Sequence, residues 1–196
     1  MVIKGLITVA IAYLMGSIPF GYIIYRMKKG GDIREVGSGN IGATNVARFL
    51  GKEGWLFTFS LDLLKGFLAV LIARFLSLEP IWIASSGIAA ILGHSFPLYI
   101  GFRGGKGVAT SLGVFIALAP IAVLPALGIF VLLVSLFHYV SLGSMSAAFS
   151  FPFFVLLFNY PREIVIGAFV CAGLIIIRHK DNLIRLLRGE ENRVFQ

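Results

Sequence analysis

The choice of fold depends on nine residues, Gly37 to Asn45, which read GSGNIGATN. Their spacing, G-x-G-x-x-G at Gly37, Gly39 and Gly42, matches a dinucleotide-binding loop, and an acid, Asp62, follows about twenty residues later. Such a loop needs a buried strand before its glycines and a βαβ unit around them. The preceding residues read KKGGDIREV, which is too short and too polar to supply that core. The sequence context therefore excludes a soluble nucleotide-binding domain.

The composition is that of a membrane protein. Of the 196 residues, 58% are hydrophobic and 13% are charged, and the mean hydropathy is +0.94. Soluble domains are about 45–50% apolar and about 25% charged. The single cysteine, Cys171, provides neither a disulfide framework nor a cysteine metal site. The formal charge of +8 indicates membrane orientation and an anionic lipid or substrate rather than nucleic acid.

Seven apolar stretches are candidates for membrane helices, which need about 20 apolar residues, or fewer where a helix is short or broken. The fourth and sixth stretches are short, and Pro120 and Pro161 are expected to separate neighbouring helices. We predict an all-α fold, a polytopic membrane helix bundle of about seven transmembrane helices that forms one integral membrane domain over residues 1–196. The stretches are residues 3–26, 55–77, 81–100, 107–119, 121–138, 145–159 and 163–178.

The basic residues are distributed unevenly between the two sides of this bundle. Only Lys4, Arg74 and Arg162 fall on one side. The side rich in lysine and arginine normally faces the cytoplasm, so we expect the N-terminus outside and the C-terminus inside. This orientation needs an odd number of crossings, seven or five, of the cell inner (cytoplasmic) membrane. The residues on the basic side are Arg26, Lys28, Lys29, Arg34, Arg48, Lys52, Arg103, Lys106, Arg178, Lys180, Arg185, Arg188 and Arg193.

In this topology the opening stretch lies in the first cytoplasmic loop. Glycines allow a backbone to approach a ligand closely, and successive N–H groups in such loops form anion-binding nests. Ser38, Thr44 and Asn45 add neutral donors, and Arg48 adds a planar guanidinium suited to phosphate. A plain turn in which Thr44 or Asn45 caps a short helix accounts for the same residues, so both interpretations stay open.

The second loop reads GFRGGKGVAT from Gly101 to Thr110 and directly precedes an apolar helix. Bare N–H groups at a helix N-terminus, beside Arg103 and Lys106, favour phosphate binding over a merely flexible basic loop. The loop is not an ATP-binding P-loop, because Gly107 stands where serine or threonine should follow the lysine.

Two further polar places fall on the same side of the membrane. The connection HYVSLGSMS contains no lysine or arginine, and we expect Ser141, Gly143 and Ser144 to form a small polar turn there, in which Ser144 either binds a ligand or caps a helix. The tail reads RHKDNLIRLLRGEE, where His179 and Asn182 share a helix face because they are three residues apart. An interfacial helix on anionic lipid explains the arginines of the tail but not these two side chains.

Asp62 and Lys65 lie inside the second predicted span, and His94 lies near the end of the third. A charge at the centre of a membrane helix costs roughly 2.5–3.5 kcal/mol. We therefore expect Asp62 and Lys65, three residues apart, to pair with each other or to face the bundle interior. His94 is expected to be a buried, hydrogen-bonded histidine, with a supporting role beneath the glycine loop as the alternative.

The polar segments together resemble those of one family. GSGNIGATN followed by Arg48, then GHSFPLYIGFRGGKGVAT, then RHKDNLIRLLRGEE are similar, in this order, to three blocks of the bacterial acyl-phosphate:glycerol-3-phosphate acyltransferases. The resemblance covers essentially the whole chain. It implies transfer of a fatty acyl group from acyl phosphate to the 1-hydroxyl of glycerol 3-phosphate, giving lysophosphatidic acid and phosphate in phospholipid synthesis. It also implies that neither acyl-CoA nor acyl carrier protein is used directly.

The resemblance implies an active site on the cytoplasmic face. We expect no cofactor and no metal, and the partners are acyl phosphate, glycerol 3-phosphate and membrane lipids, with functional coupling to an enzyme that produces acyl phosphate as a further prospect. The expected catalytic residues are Ser38, Arg48, Lys106, His179 and Asn182. The expected substrate-binding residues are Gly37, Gly39, Asn40, Gly42, Thr44, Asn45, Gly101, Arg103, Gly104, Gly105, Gly107 and Ser144.

The expected mechanism is direct attack. The H-x-x-x-x-D dyad of many glycerolipid acyltransferases is absent, since Tyr99, Gly143 and Ile184 stand five residues after the three histidines. Acyl phosphate is already activated, so positioning and charge stabilisation can supply much of the catalysis. The hydroxyl proton would pass to a substrate phosphate, whose second pKa is about 6, or to His179. Ser38, Arg48 and Lys106 would orient phosphates, and His179 and Asn182 would orient the acceptor.

A transporter or flippase for an anionic metabolite is the alternative function. Broken spans, glycine-flanked helix starts and intramembrane polar residues are typical of transporters. The polar motifs, however, cluster on one face rather than at mid-bilayer, and no convincing inverted repeat is visible. A passive lipid-binding scaffold would not need two glycine loops with spaced cations.

Overall fold

The computed structural model describes residues 1–194, and within that range it is helical without any strand. The predicted all-α fold is confirmed, and each of the seven predicted stretches is mainly helical, the first of them as two helices. Short 3₁₀ turns at Ile33–Glu35 and Leu98–Ile100 precede the two glycine loops. The helices are α1 (Val2–Gly16), α2 (Phe20–Lys29), α3 (Ala43–Phe75), α4 (Pro80–Ser95), α5 (Val108–Leu118), α6 (Pro120–Phe137), α7 (Val140–Leu157), α8 (Arg162–Arg178) and α9 (Lys180–Leu187).

The chain divides into two compact units, residues 1–117 and the part from Leu118 onward. A single integral membrane domain therefore stays a prediction. Among the described residues, five helical stretches are long and apolar enough to cross a membrane. The fourth predicted span, α5, is a shorter apolar helix of 11 residues. The five stretches are Val2–Lys29, Ala43–Phe75, Pro80–Ile100, Pro120–Phe137 and Val140–Leu157.

The first predicted span, residues 3–26, is not one continuous helix. It breaks after Gly16 and resumes at Phe20, because Pro19 has no N–H group to donate and restricts the residue before it. At the break, Lys65 Nζ of α3 donates a 2.8 Å hydrogen bond to the carbonyl oxygen of Ile18. A buried lysine thus satisfies a backbone group that the break exposes.

Helix α3 starts at Ala43, well before the predicted start of its span at residue 55. The apolar run marks only the part suited to a membrane, whereas the helix begins directly after Gly42, its N-cap, whose extended conformation ends the loop. The helix is interrupted at Gly51, where φ is 65° and ψ is −158°. This kink separates a short segment that carries Arg48 from the apolar part of α3.

Small residues let helices of the first unit approach closely. A β-carbon at Gly16 of α1 would overlap the backbone of Ala90 in α4, and one at Gly66 of α3 would overlap the carbonyl oxygen of Thr110 in α5. Close backbone contact of this kind is a recurrent way to pack helices in membranes. The first turn of α5, which follows the second glycine loop, is therefore held directly against α3.

In the second unit, one predicted turn is wrong. Ser141, Gly143 and Ser144 were expected in a turn, but they lie in the first turns of α7. The chain reverses earlier, since His138 takes a left-handed conformation with φ of 62° and ends α6. As predicted, prolines mark the breaks: Pro120 is the first residue of α6, and Pro161 immediately precedes α8.

Candidate active site

One buried side chain organises the first glycine loop. Asn45 is 2% exposed, and its Oδ1 accepts a 2.9 Å hydrogen bond from the backbone N–H of Ser38. Its Nδ2 donates to the carbonyl oxygens of Val36 at 3.1 Å, Asn40 at 2.9 Å and, more weakly, Ile33 at 3.3 Å. A substrate-binding role is predicted for Asn45. In the structure, its hydrogen bonds also stabilise the conformation of the loop.

Two glycines of this loop take conformations that other residues rarely adopt. Gly37 has φ of 59° and Gly39 has φ of 67°, both in the left-handed region. A β-carbon at Gly37 would also overlap Asn45 Oδ1 and approach the ring of Phe49. The loop therefore requires glycine at position 37 for both backbone and packing reasons.

The first loop presents its polar groups outward at the start of α3. Ser38, Thr44 and Arg48 are exposed, and Thr44 and Arg48 share a helix face because they are four residues apart. No side chain caps the N-terminus of α3 at Gly42, whereas the Asn40 side chain accepts a 2.8 Å hydrogen bond from Gly42 N–H. Bare N–H groups beside an arginine suit an anion.

Arg34, which the sequence did not single out, links the two glycine loops. Its guanidinium pairs with Asp32 at 2.6 Å, and its Nη1 donates a 2.8 Å hydrogen bond to the carbonyl oxygen of Ile100. Ile100 immediately precedes Gly101, and it also packs against the apolar cluster beneath the first loop. The hydrogen bond from Arg34 holds the pKa of Asp32 below its ordinary value. The two loops of the first unit are thus neighbours.

The second loop packs against His94. The N–H of Gly105 donates a 3.0 Å hydrogen bond to the His94 carbonyl oxygen, and a β-carbon at Gly105 would overlap the imidazole. A β-carbon at Gly104 would likewise overlap the His94 carbonyl oxygen and the Pro97 ring. Both glycines are buried, whereas Lys106 is half-buried.

The ends of the second loop also depend on glycine. Gly101 and Gly107 have φ of 70° and 86°, respectively. Arg103, between them, is exposed, and α5 begins directly after Gly107, whose carbonyl accepts from Ser111 N–H. The loop therefore carries two cations to a helix N-terminus, as the sequence predicted.

The intramembrane charges pair as expected. Lys65 Nζ lies 2.7 Å from Asp62 Oδ1, with the two side chains 3% and 2% exposed. His94 Nδ1 lies 3.4 Å from the same carboxylate oxygen, so the predicted pair is extended to a buried trio. The predicted burial of His94 is confirmed as well, at 3% exposure.

In the second unit, Glu191 binds several polar side chains, although the sequence analysis did not single it out. Glu191 Oε1 accepts hydrogen bonds from Ser141 Oγ at 2.8 Å and Asn182 Nδ2 at 2.6 Å. Its Oε2 accepts one from Arg185 Nε at 2.7 Å. Burial raises the pKa of Glu191, but these hydrogen bonds outweigh it and leave the pKa below its ordinary value. The one available signal was the pair of acids, Glu190 and Glu191, that ends the RHKDNLIRLLRGEE stretch.

His179 lies at the junction of α8 and α9. It is 3% exposed, and its Nδ1 lies 2.8 Å from the carbonyl oxygen of Ile175. Because a carbonyl oxygen only accepts, the proton of the neutral ring is on Nδ1, and the lone pair is on Nε2. Ser144, also predicted to bind substrate, is buried in α7 one turn after Ser141.

The described end of the tail folds back on the turn between α6 and α7. Val194 N–H donates a 2.8 Å hydrogen bond to the His138 carbonyl oxygen, and Arg193 Nε donates a 3.2 Å hydrogen bond to Tyr139 Oη. These contacts and the Glu191 cluster fix the tail to the start of α7.

The helical bundle with its apolar spans defines an integral membrane protein, and comparison with known proteins gives its class. The family described as glycerol-3-phosphate acyltransferase matches residues 6–189. The chain therefore belongs to the glycerol-3-phosphate acyltransferase family, an enzyme family, and the expected resemblance is confirmed.

Similar proteins support this assignment. The glycerol-3-phosphate acyltransferase of Geotalea daltonii is 48% identical over 181 residues, which cover 92% of this chain and 93% of the relative. The one from Geobacter sulfurreducens is 46% identical over 192 residues, which cover 97% of this chain and 98% of that protein.

Two solved structures share the fold. The crystal structure of PlsY, an integral membrane glycerol 3-phosphate acyltransferase, in its glycerol 3-phosphate form has a TM-score of 0.93 and 43% identity, with coverage of 98% of this chain and 100% of that one. Its lysophosphatidic acid form has a TM-score of 0.90 and 42% identity, with coverage of 97% and 95%. The acyltransferase interpretation is thus favoured over the transporter and the scaffold.

Proposed function

We propose that this protein acylates the 1-hydroxyl of glycerol 3-phosphate with acyl phosphate as the donor, producing lysophosphatidic acid and inorganic phosphate. The observation that carries the proposal is the pair of cation-bearing glycine loops, which Arg34 holds together through Ile100. Both substrates bear a phosphoryl group, so neighbouring glycine loops that carry cations at helix N-termini suit them. The ligands named for the two PlsY structures, glycerol 3-phosphate and lysophosphatidic acid, fit the acceptor and the product of this reaction.

The chemistry required of the protein is mainly positioning. The glycerol hydroxyl attacks the carbonyl carbon of the mixed anhydride, the bond from this carbon to the phosphate oxygen breaks, and phosphate leaves with the electron pair. Arg48 and Lys106 offset negative charge on the phosphates, and Ser38 helps to orient them. Preorganised donors of this kind are worth about 10²–10³ in rate each.

The hydroxyl proton has two candidate acceptors, a substrate phosphate and His179. The Nε2 lone pair of His179 suits the base role, and a phosphate with a second pKa of about 6 can serve near neutral pH. Asn182 stays the predicted acceptor-orienting residue. In His179→Gln, loss of a true base would lower kcat by about 10²–10⁴. Full activity would assign the proton to phosphate instead.

The decisive experiment measures phosphate release by the purified protein in detergent from palmitoyl phosphate and glycerol 3-phosphate. We expect release that depends on both substrates, with stoichiometric lysophosphatidic acid detected by mass spectrometry. Lys106→Ala is the comparison, with an expected loss of about 10²–10³. No release above this variant would overturn the proposal, and release without glycerol 3-phosphate would indicate a hydrolase.

The donor and the direct attack are tested separately. Palmitoyl-CoA in place of palmitoyl phosphate should give no product if the donor is acyl phosphate. Direct attack predicts no acylated protein during a single turnover, whereas a palmitoyl adduct on Ser38 in a rapid-quench experiment would replace it with a two-step mechanism.

We also propose that the loops face the cytoplasm, with multi-pass insertion in the cell inner membrane. The excess of lysine and arginine around the loops supports this orientation. Because the single native cysteine, Cys171, is buried, Lys28→Cys provides a labelling site with little background. An impermeant maleimide should label it in inverted vesicles and not in intact cells; labelling of intact cells would reverse the topology.

A further inference from the structure

A buried polar chain leads from the break in the first span to the second glycine loop. Ile18, at the break, accepts a hydrogen bond from Lys65, and Lys65 pairs with Asp62. Asp62 lies beside His94 Nδ1, and the opposite edge of the His94 ring, with Nε2, lies against Gly105. All these groups belong to the first unit, and the three side chains are each less than 5% exposed.

The position of His94 is thus fixed from two sides. Its Nδ1 faces a carboxylate that a buried ammonium holds in place, and its carbonyl oxygen accepts from Gly105 N–H. No β-carbon fits between the ring and Gly105. Charges inside a membrane protein are costly unless they are paired, so a network of this kind indicates a function beyond packing.

We propose that His94, held by Asp62 and Lys65, is a positioning residue that sets the height of the Gly104–Gly105–Lys106 turn relative to the substrate phosphate. The ring supports Gly105, and the next residue, Lys106, carries the cation. The close packing of Gly66, adjacent to Lys65, against Thr110 holds the other end of the loop to the same part of α3. A change in the height of this turn moves the cation of Lys106 relative to the substrate phosphate and weakens the binding of that phosphate.

This inference rests on the proposed function. Two variants of His94 separate the contribution of its ring from that of its hydrogen-bond donor. His94→Asn keeps a donor near Asp62 but removes the ring edge beneath Gly105. His94→Phe keeps a ring but loses the donor. We expect His94→Asn to raise the KM for glycerol 3-phosphate or palmitoyl phosphate by about tenfold, with kcat per folded enzyme within about threefold, since loss of ground-state and transition-state binding together raises KM alone.

A compensating pair gives the sharpest test. Gly105→Ala should be strongly impaired, because its methyl group overlaps the imidazole. In His94→Asn/Gly105→Ala the methyl group has room, so the double variant should be more active than Gly105→Ala alone. Effects that multiply without relief would overturn the proposal, and so would unchanged KM values per folded enzyme in both His94 variants.

A binding measurement separates this proposal from the proposed function. Glycerol 3-phosphate at saturating concentration should raise the melting temperature of the wild-type protein, with a smaller rise in His94→Asn. His138→Asn is the control, because His138 is exposed in a left-handed turn of the other unit, which asparagine tolerates. Wild-type stabilisation without phosphate release would overturn only the acyl transfer. Equal stabilisation of the wild type and His94→Asn, together with an unchanged KM for palmitoyl phosphate, would overturn the role of His94.

Discussion

The first glycine loop and the C-terminal tail are organised in opposite ways. In the loop, a neutral side chain, Asn45, holds the backbone, and Arg48 is exposed. In the tail, a carboxylate, Glu191, accepts from Asn182 and Arg185. Because Asn45 is neutral, it does not neutralise Arg48, whose charge can therefore bind an anionic ligand. Because Glu191 is charged, it neutralises Arg185 and makes the stability of the tail depend on pH.

Of the variants that test this comparison, the one that removes Asn45 is expected to have the largest effect. Asn45→Ala leaves the N–H of Ser38 and several carbonyl oxygens without their partner, and each buried unsatisfied group costs about 1–3 kcal/mol. We expect phosphate release to fall by about 100-fold, because the loop loses its shape.

The asparagine control lies in the tail. Asn192 is exposed, so Asn192→Ala should keep both its activity and its melting temperature. If Asn45→Ala retained activity within about threefold of the wild type, the loop would not depend on Asn45.

The next largest effect concerns the cation that the loop presents. Arg48→Lys keeps the charge but loses the planar fork that binds phosphate through two hydrogen bonds. Loss of one charge-assisted hydrogen bond, worth about 1.5–3 kcal/mol, predicts a drop in kcat/KM of roughly tenfold or more. Steady-state kinetics measures this drop. Equal kcat/KM values would show that Arg48 acts as a point charge.

A smaller and pH-dependent effect is expected in the tail. The folded-state pKa of Glu191 is below the ordinary 4.5, so its stabilisation is present above that pH and is lost as the pH falls through the folded value. At pH 7, Glu191→Gln should lower the melting temperature by about 5 °C, from loss of charge-assisted hydrogen bonds.

The difference in melting temperature between the wild type and Glu191→Gln should narrow as the pH falls below 4.5, because the wild-type carboxylate becomes protonated. Thermal melts from pH 7 to pH 3.5 measure it. A constant difference over that range would contradict the ionic role of Glu191.

The smallest effect is expected at a glycine outside both regions. A β-carbon at Gly173 in α8 meets no neighbour within 4 Å, so Gly173→Ala should be neutral or stabilising by up to about 1 kcal/mol. Gly143→Ala in α7 is the contrasting variant, since its β-carbon would lie 2.8 Å from Val134 Cγ2. A larger destabilisation of Gly173→Ala than of Gly143→Ala would contradict this difference.

Helix positions were predictable, but helix ends were not. Apolar runs identified all seven stretches, because a membrane helix must be apolar along its length. They did not reveal the break between Gly16 and Phe20 or the start of α3 at Ala43. Those boundaries depend on which backbone groups find partners, such as the Lys65 ammonium for Ile18, and such partners are distant in sequence.

The candidate residues were recognised by type and spacing, whereas their supports were missed. Glycines, Arg48 and Lys106 stand out because few other residues can form a phosphate-binding loop. Arg34 and Glu191 looked like ordinary surface charges. Only the fold brings Arg34 to Ile100, 66 residues away, and Glu191 to Ser141, 50 residues away.

The sequence alone determined the membrane class, the helical fold and the family, because hydropathy and local motifs are properties of short segments. The tertiary structure alone decided the neighbourhood of the two loops, the addition of His94 to the predicted Asp62–Lys65 pair, and the contact of Glu191 with Ser141. Each of these pairings joins elements far apart in the chain. Buried polar groups must find partners wherever the packed helices place them, and that placement is a property of the folded whole.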